Sequence, residues 1–278
     1  MNVFEAVLLG VVQGLAEFLP ISSSGHLQLM MQLFSMQIDE NAMMLVTVLL
    51  HVGTLAVVLI VFWKDWLDIL KNPLRSRLLL YLFIASLPAL IIKLALGDFF
   101  DDLNAGGMLG VFFLVTAVMM VLVENLSRGR HIARREKPTA RDAVIMGCFQ
   151  GLGMMTGISR SGSTTLGGIF SGLSRKGAVH FCFLMSAPAI VGGLIVEGRD
   201  AYKAGAFSKL GEMALPIALG MLAAFVTGLL AVRFMLKKVN KISFHWFALY
   251  MGILGVATII MQVMGVGGLL PVGLSAPH

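Results

Sequence analysis

The sequence predicts an all-α polytopic membrane protein, with six transmembrane helices and two re-entrant helical hairpins in an inverted-topology repeat. Three observations predict it: composition, six long apolar runs, and one polar motif that occurs twice. Of 278 residues, 58% are hydrophobic and 13% are charged, whereas soluble domains carry about 25% charged residues. The mean hydropathy is +0.89. These figures exclude a disordered chain, a collagen and a small disulfide scaffold.

Six apolar segments are long enough to cross a bilayer, which takes about 20 residues. They are 43–63, 76–96, 107–124, 178–196, 213–235 and 244–266. Two other apolar stretches, 4–35 and 140–172, are interrupted near the middle by Gly, Ser and other polar residues. We therefore do not expect these two stretches to form simple spans.

The distribution of Lys and Arg predicts the topology, because basic residues concentrate in cytoplasmic loops. Basic residues cluster in the loops 64–77 and 125–142, just before the fourth span, and between the last two spans. This basic excess explains the pI near 9.6 without nucleic-acid binding. The acidic connections 36–42 and 97–106 and the mixed loop 197–212 then lie outside, as do both termini.

This alternation leaves 4–35 and 140–172 unable to cross the membrane. Each is expected to enter from one side and return to it as two half-helices joined by a polar turn. Such backbone is tolerated at membrane depth where it is buried in protein or lines a cavity. An amphipathic hairpin lying on the membrane surface is the alternative.

The two interrupted stretches are copies of one another. When residue n is aligned with n+137, ten positions that include Gly, Gln and a Ser-x-Ser-Gly turn are identical. Three spans follow each copy, and because three is odd, the copies are predicted to be inverted. The repeats would be 1–137 and 138–278 of one integral membrane domain. The glycines shared by the copies, Gly10, Gly14, Gly147 and Gly151, are expected to allow close helix packing.

The copies differ where chemistry is expected. Glu17, Ser23 and His26 align with Met154, Arg160 and Ser163. Centring an Arg in a membrane costs about 2.5–3.5 kcal/mol, so such a residue usually has a partner and a function. If the turns meet, the candidate catalytic residues are Glu17, Ser23, His26 and Arg160.

Helix N-termini and hydroxyls at both turns favour an anion, with phosphate the natural guest. Pro20 is expected to end the first half-helix, and serines to cap the second. The serines could also act as caps alone. His51 is equally consistent with a buried structural residue and a neighbour of the site. The candidate phosphate-binding residues are Ser22, Ser24, Gly25, Ser159, Ser161, Gly162, Ser163 and Thr164.

The two turns resemble known signatures. Gln13-Gly-Leu-Ala-Glu17-Phe-Leu-Pro-Ile-Ser-Ser-Ser-Gly-His26 resembles the first signature of the undecaprenyl-diphosphatase (bacitracin-resistance) family, and Gly157-Ile-Ser-Arg160-Ser-Gly-Ser-Thr164 resembles the second. The family takes Glu or Gln at the position of Gln13. One departure is Thr156, where the family usually has Pro.

The resemblance implies hydrolysis of undecaprenyl diphosphate to undecaprenyl phosphate and inorganic phosphate, which recycles the lipid carrier of the bacterial cell wall. It implies a plasma-membrane enzyme whose site opens to the outer face. It also implies Glu17, Ser23, His26 and Arg160 as functional residues, and Mg²⁺ or Ca²⁺ held by Gln13 and Glu17.

Our working hypothesis makes Ser23 the nucleophile, His26 its base, and Glu17 the residue that orients His26 or binds the cation. In a rival mechanism His26 is itself the nucleophile. A different class of function, an inverted-repeat transporter or flippase for a lipid phosphate or another anion, also fits the repeat. The expected partners are a polyprenyl diphosphate and membrane lipid. Prenyl length, metal identity and a homodimeric state are left open.

Overall fold

The computed structural model describes residues 1–34, 36, 40–105, 107–128 and 135–265. Parts of the predicted connections 36–42 and 125–142, and the C-terminal residues 266–278, lie outside this range. The described residues form eleven α-helices and two short 3₁₀ turns, Pro73–Arg75 and Ala206–Lys209. The α-helices are α1 Val3–Phe18, α2 Ser23–Leu33, α3 Glu40–Val61, α4 Trp63–Lys71, α5 Arg77–Ala105, α6 Leu109–Arg128, α7 Ala140–Leu152, α8 Arg160–Ser171, α9 Arg175–Lys203, α10 Leu210–Lys238 and α11 His245–Val263.

Six helices are long and apolar enough to cross a membrane, which confirms the six predicted spans. They are α3, α5, α6, α9, α10 and α11, and each contains an 18-residue window with a mean hydropathy between 1.8 and 2.6. The protein is therefore an all-helical, multi-pass membrane protein.

The connections 64–77, 97–106 and 197–212 are helical over most of the residues that the structure describes in them. Helix α4 occupies much of the first connection, and α9 continues to Lys203 in the third. Helix α5 continues through the three aspartates of the second connection to Ala105. An ion pair of 3.7 Å between Lys93 Nζ and Asp101 links the predicted span to this extension. Polar residues at the end of a span thus extend the helix instead of ending it.

The two interrupted stretches each form a pair of packed helices, α1 with α2 and α7 with α8. The first helix of each pair begins with a capping box, made by Asn2 with Glu5 and by Thr139 with Asp142. Helices of 16 and 11 residues in the first pair rise about 24 and 16 Å. Neither reaches the roughly 30 Å of a bilayer core. Helix α1 ends at Phe18, just before Pro20, as predicted.

Glycines let each helix pair approach the opposite half of the chain. A methyl group on Gly10 would lie 2.1 Å from the carbonyl oxygen of Gly220, so α1 and α10 are in backbone contact. A methyl group on Gly147 would lie 2.3 Å from the carbonyl oxygen of Ala85, which brings α7 equally close to α5. These contacts confirm the predicted close packing at these glycines.

The centre of the molecule is formed by α8 and the first half of α9. Most of α8 from Ser161 to Ile169 is buried, as is most of α9 from Gly177 to Ala187. The apolar core thus holds the start of α8, which carries the second motif, in a fixed position.

Candidate active site

The two motif turns are in direct contact. A methyl group on Gly25 would lie 2.9 Å from the Cα atom of Gly157, so the turn before α8 lies against the start of α2. The Ser161 hydroxyl donates a hydrogen bond of 3.0 Å to the carbonyl oxygen of Leu19. The fold therefore brings together two segments about 140 residues apart, as the sequence predicts.

The carboxylate of Glu17 lies at the centre of this contact, with its side chain 2% exposed. One of its oxygens forms an ion pair with the Arg160 guanidinium. The other accepts a hydrogen bond of 2.6 Å from the Ser23 hydroxyl and one of 3.2 Å from the Gln13 amide. Three of the four candidate catalytic residues thus meet at one carboxylate.

His51 lies beside the same carboxylate. Its Nε2 is 3.9 Å from the Glu17 oxygen that accepts from Ser23. Its Nδ1 lies 2.8 Å from the carbonyl oxygen of Thr47. Since a carbonyl oxygen only accepts, Nδ1 donates to it, and Nε2 is the ring nitrogen that faces Glu17. Of the two interpretations of His51, the geometry favours a neighbour of the site.

His26 lies at the same turn, but its hydrogen bonds differ from those expected. Its Nδ1 is 2.7 Å from the carbonyl oxygen of Ser22, and its Nε2 is 2.7 Å from the hydroxyl of Tyr250. Nδ1 therefore carries the proton, and Nε2 accepts from Tyr250. Within the described residues, no hydrogen bond joins His26 to Ser23, whose hydroxyl donates to Glu17. The expected direct pairing of Ser23 with His26 is thus replaced by a pairing of Ser23 with Glu17.

Tyr250, on α11, is a site residue that the sequence reasoning missed. Its ring stacks on the imidazole of His26 with ring centroids 5.6 Å apart and an interplanar angle of 17°. Phe113 contacts the imidazole with its ring centroid at 5.5 Å. Tyr250 belongs to neither motif and lies 224 positions from His26. Its only signal in the sequence is a hydroxyl-bearing ring within an apolar span.

The turn before α2 depends on Ser22. Its hydroxyl accepts from the Gly25 N–H, so Ser22 is the N-cap of α2, as predicted. Its φ is +70°, and it is the only non-glycine residue with positive φ in the described part of the chain. Such backbone is uncommon and strained for residues other than glycine. The strained geometry directs the Ser22 carbonyl oxygen to both the backbone N–H and the imidazole of His26.

The second turn is held by side chains from α5 and α6 that the sequence reasoning also missed. The Thr116 hydroxyl donates to the Gly157 carbonyl and accepts from the Ser159 N–H, both at 3.0 Å. The Thr156 N–H donates to the Asn104 side-chain oxygen at 3.0 Å. Proline has no N–H, so the departure from the family pattern at Thr156 is matched by a hydrogen bond that proline could not make.

The remaining candidate phosphate-binding residues have partners within the protein or lie apart. Ser159 caps α8 by accepting from the Gly162 N–H at 3.1 Å. Ser163 and Thr164 are buried, and both hydroxyls donate to the Arg160 carbonyl. Ser24 is exposed. Among the predicted residues of the second turn, Arg160 therefore supplies the charged donor, while these hydroxyls stabilise the turn that carries it.

The oxygen atoms around Glu17 fit a hard divalent cation. The side-chain oxygen of Gln13 is buried and has no hydrogen-bond partner among the described residues. The amide nitrogen of the same side chain donates to the Glu17 carboxylate, and Mg²⁺ and Ca²⁺ prefer carboxylate and amide oxygens as ligands. Within the described chain, no group of three or more His, Cys, Asp or Glu side chains could hold a metal alone. Oxygens of a bound phosphate would have to complete the coordination.

Fold and site together define a multi-pass helical membrane protein with a buried carboxylate, a buried imidazole and a partly exposed guanidinium at the contact of two repeated turns. Residues 6–257 match the family model described as bacitracin resistance protein BacA. The chain belongs to the BacA family.

Relatives with assigned names agree over nearly the full length. The chain is 40% identical over 266 residues to an undecaprenyl-diphosphatase of Carboxydothermus hydrogenoformans, covering 95% of this chain and 99% of that protein. It is 39% identical to undecaprenyl-diphosphatase 4 of Bacillus thuringiensis, covering 94% and 98%. It is 35% identical to an undecaprenyl-diphosphatase of Alkaliphilus metalliredigens, covering 95% and 100%.

Proposed function

We propose that this protein is a phosphatase that hydrolyses undecaprenyl diphosphate to undecaprenyl phosphate and inorganic phosphate. The observation that carries the proposal is the binding of both the Arg160 guanidinium and the Ser23 hydroxyl to the buried Glu17 carboxylate. A phosphate-binding cation and a nucleophile with an adjacent base are what phosphoryl transfer needs. The relatives named above carry the name of this activity.

Arg160 holds the terminal phosphate of the substrate. Without substrate its guanidinium is neutralised by Glu17. A terminal phosphate carries more charge than one carboxylate and offers bidentate geometry, so it competes for the guanidinium. When Arg160 turns to the phosphate, Glu17 loses its strongest cationic partner and becomes a better proton acceptor. Binding of the substrate thus activates the base.

Ser23 is the nucleophile, and Glu17 takes its proton along the existing hydrogen bond of 2.6 Å. The Ser23 oxygen bonds to the terminal phosphorus, and the bond from that phosphorus to the bridging oxygen breaks. Undecaprenyl phosphate leaves with the bonding electrons. Water then hydrolyses the phosphoserine, releasing inorganic phosphate and returning the proton to Ser23. The guanidinium stabilises the charge on the transferred phosphoryl oxygens.

The role of His26 follows from its two hydrogen bonds. Its neutral imidazole is held between the Ser22 carbonyl and the Tyr250 hydroxyl. We assign it, together with the Tyr250 hydroxyl that it holds, to positioning the diphosphate and the water that hydrolyses the phosphoenzyme. Direct attack by His26 is the rival mechanism, and it would require Nε2 to release the Tyr250 hydroxyl.

A divalent cation would be held by Gln13 and Glu17, with the Ser23 hydroxyl nearby. The buried, unpaired side-chain oxygen of Gln13 supports this assignment. When bound, Mg²⁺ or Ca²⁺ would offset the negative charge of the diphosphate. The proposal covers either of these two cations.

We infer that the two helix pairs are re-entrant hairpins in an inverted repeat, with units 1–137 and 138–278. Helix lengths support this, since neither α1 nor α2 reaches across a bilayer alone. The repeat shift of 137 residues maps α2, which starts at Ser23, onto α8, which starts at Arg160. Helix α1 packs on α10, and α7 packs on α5, so each helix pair contacts a helix of the other repeat unit. Two equivalent contacts of this kind support the repeat.

We place the protein in the bacterial plasma membrane with both termini outside and the site open to the outer face. The basic loops support this orientation, because they would all be cytoplasmic. Asn2→Cys and Arg75→Cys, each made in a variant from which Cys148 and Cys182 have been replaced, test it by labelling with a membrane-impermeant maleimide. Modification in intact cells is expected at position 2 only.

The transporter alternative is not favoured, because the relatives described above are named as phosphatases. The discriminating measurement is phosphate release from undecaprenyl diphosphate by the purified protein in detergent. We expect release by the parent, and at least a 100-fold lower kcat for Arg160→Gln. Arg233→Gln is the matched control, since Arg233 is an exposed Arg on α10. A folded parent that releases no phosphate would contradict the proposal.

Trapping the phosphoenzyme separates the two nucleophiles. Rapid acid quenching after mixing with substrate labelled on the terminal phosphate should leave acid-stable label on Ser23. Label that is lost in acid but retained in base would instead identify phosphohistidine and favour His26.

A further inference from the structure

A polar cavity lies away from the active site, where four of the six spans begin or end. Its volume is about 460 Å³. The end of α6, the start of α9 and the connection between α10 and α11 meet there. Because these are the ends of candidate spans, the cavity lies at the level of the lipid headgroups. Its lining consists of Glu124, Ser127, Arg128, Ser174, Arg175, Asn240, Lys241, Ile242 and Ser243.

A buried carboxylate holds the cavity together. Glu124 is fully buried and accepts hydrogen bonds from Arg128 and from the backbone N–H of Phe244, the latter at 2.6 Å. It also forms an ion pair of 2.9 Å with Arg175. Arg175 donates further to Ser127 and to the Ile242 carbonyl. Glu124 and Arg175 are therefore fully used within the protein and connect α6, α9 and the start of α11.

The other two cations of the cavity are available to a ligand. Arg128 reaches Glu124 through Nε, and 64% of its side chain is exposed, which leaves its terminal N–H groups accessible. Lys241 is exposed, and its side chain has no hydrogen bond or ion pair within the described residues. Three cations and one carboxylate give the cavity a net charge of +2. A singly or doubly charged anion would balance it.

An apolar groove starts beside this cavity and runs between α6 and α11. Its volume is about 790 Å³, and apart from His245 its lining is apolar. Val121 of the groove precedes Glu124 of the cavity by one helical turn, and His245 follows Ser243 by two residues. Val118, Leu249 and Ile253 in the groove are each more than half exposed. A polar, cationic cavity at one end of an apolar groove matches the two parts of a charged lipid.

We propose that the cavity and groove bind an anionic glycerophospholipid of the phosphatidylglycerol class. The phosphate lies between Arg128 and Lys241, and an acyl chain lies in the groove between α6 and α11. The charge of the cavity selects an anionic headgroup over a zwitterionic one. The open groove makes a lipid of the surrounding bilayer the occupant. The site shares no residue with the phosphatase site, so it stands independently of the proposed activity.

Native mass spectrometry of the delipidated full-length protein tests the headgroup contacts. Phosphatidylglycerol and phosphatidylcholine with identical acyl chains are titrated separately. The parent should bind phosphatidylglycerol at least tenfold more tightly. Arg128→Gln combined with Lys241→Gln should weaken that binding roughly 10- to 30-fold, because each basic residue adds to the attraction for an anionic headgroup. Lys237→Gln combined with Lys238→Gln, which removes two charges outside the cavity, should change it less than twofold.

A second pair of variants tests the groove. A side chain at Gly252 would meet open space and extend into the groove, so Gly252→Leu should fold and weaken phosphatidylglycerol binding at least fivefold. Gly192→Leu adds the same side chain in open space on α9 and should have no effect. Equal losses in a variant and its control would overturn the proposal. So would unchanged phosphatidylglycerol binding in Arg128→Gln combined with Lys241→Gln.

Discussion

The Tyr250 hydroxyl is the residue-scale contact that most directly tests how His26 is used. Tyr250→Phe keeps the stacked ring and removes the hydrogen bond to Nε2. We expect kcat for phosphate release to fall about tenfold, because one hydrogen bond is worth about 1.4 kcal/mol or less. KM should stay within twofold, since Arg160 still holds the phosphate. Tyr202→Phe, at an exposed tyrosine of α9, is the control, and an unchanged kcat in Tyr250→Phe would contradict the assigned role.

The pairing of Asn104 with the Thr156 N–H gives a second test at this scale. Asn104→Ala removes the acceptor and should lower the free energy of unfolding by about 1 kcal/mol. In a Thr156→Pro background there is no N–H to satisfy, so Asn104→Ala should cost much less. Thermal unfolding in detergent measures both losses. Equal losses in the two backgrounds would show that Asn104 acts in another way.

The sequence predicts the site residues that a motif carries and misses those that only the fold supplies. Glu17, Ser23 and Arg160 were predicted together, because a repeated polar turn in an apolar chain is itself a signal. Tyr250 and Thr116 gave no such signal. Each is a single polar side chain on a spanning helix, and its importance depends on which neighbour the fold gives it.

At the scale of the helix, the capping box of α7 tests how the second helix pair is fixed. The Asp142 carboxylate accepts two hydrogen bonds from Arg135, at 2.8 and 2.9 Å, and others from Thr139. Burial alone would raise the pKa of Asp142, but the hydrogen bonds from Arg135 and Thr139 outweigh it, and the pKa lies below its ordinary value.

Asp142→Asn should therefore destabilise the protein in a pH-dependent way. A lowered carboxyl pKa contributes stability above its unfolded value of about 3.9, and that contribution is lost as the pH falls through the folded value. At any pH between 5 and 8 we expect the free energy of unfolding of the variant to be roughly 2 kcal/mol lower than that of the parent. The loss is moderate because the partner, Arg135, is partly exposed. The difference should shrink below about pH 4. Melting curves over this range measure it, and a pH-independent difference would contradict the ion-pair explanation.

The spans were predictable because length and apolarity are enough to define them. Their ends were not, since α5 continues through three aspartates and α9 continues to Lys203. Charged residues at the membrane surface are solvated whether the backbone is helical or not. They therefore mark where the bilayer ends and not where the helix ends.

At the scale of the whole molecule, each helix pair packs on a helix of the other half of the chain, α1 on α10 and α7 on α5. The repeat spacing predicted that the two turns correspond, and the resemblance predicted what they do together. Neither the repeat spacing nor the resemblance predicts which hydrogen bonds form where the two turns meet. The pairing of Ser23 with Glu17 instead of His26 depends on the backbone at Ser22, whose positive φ no sequence pattern indicated.

The composite site requires Glu17 and Arg160, from opposite halves of the chain, to act as one unit. A double-mutant cycle of Glu17→Gln and Arg160→Gln, read as kcat/KM for phosphate release from undecaprenyl diphosphate, measures their coupling directly. We predict that each single variant loses at least 100-fold and that the double variant is no more than about threefold worse than either. Losses that multiply in the double variant would show that the two residues act independently and would contradict the composite site.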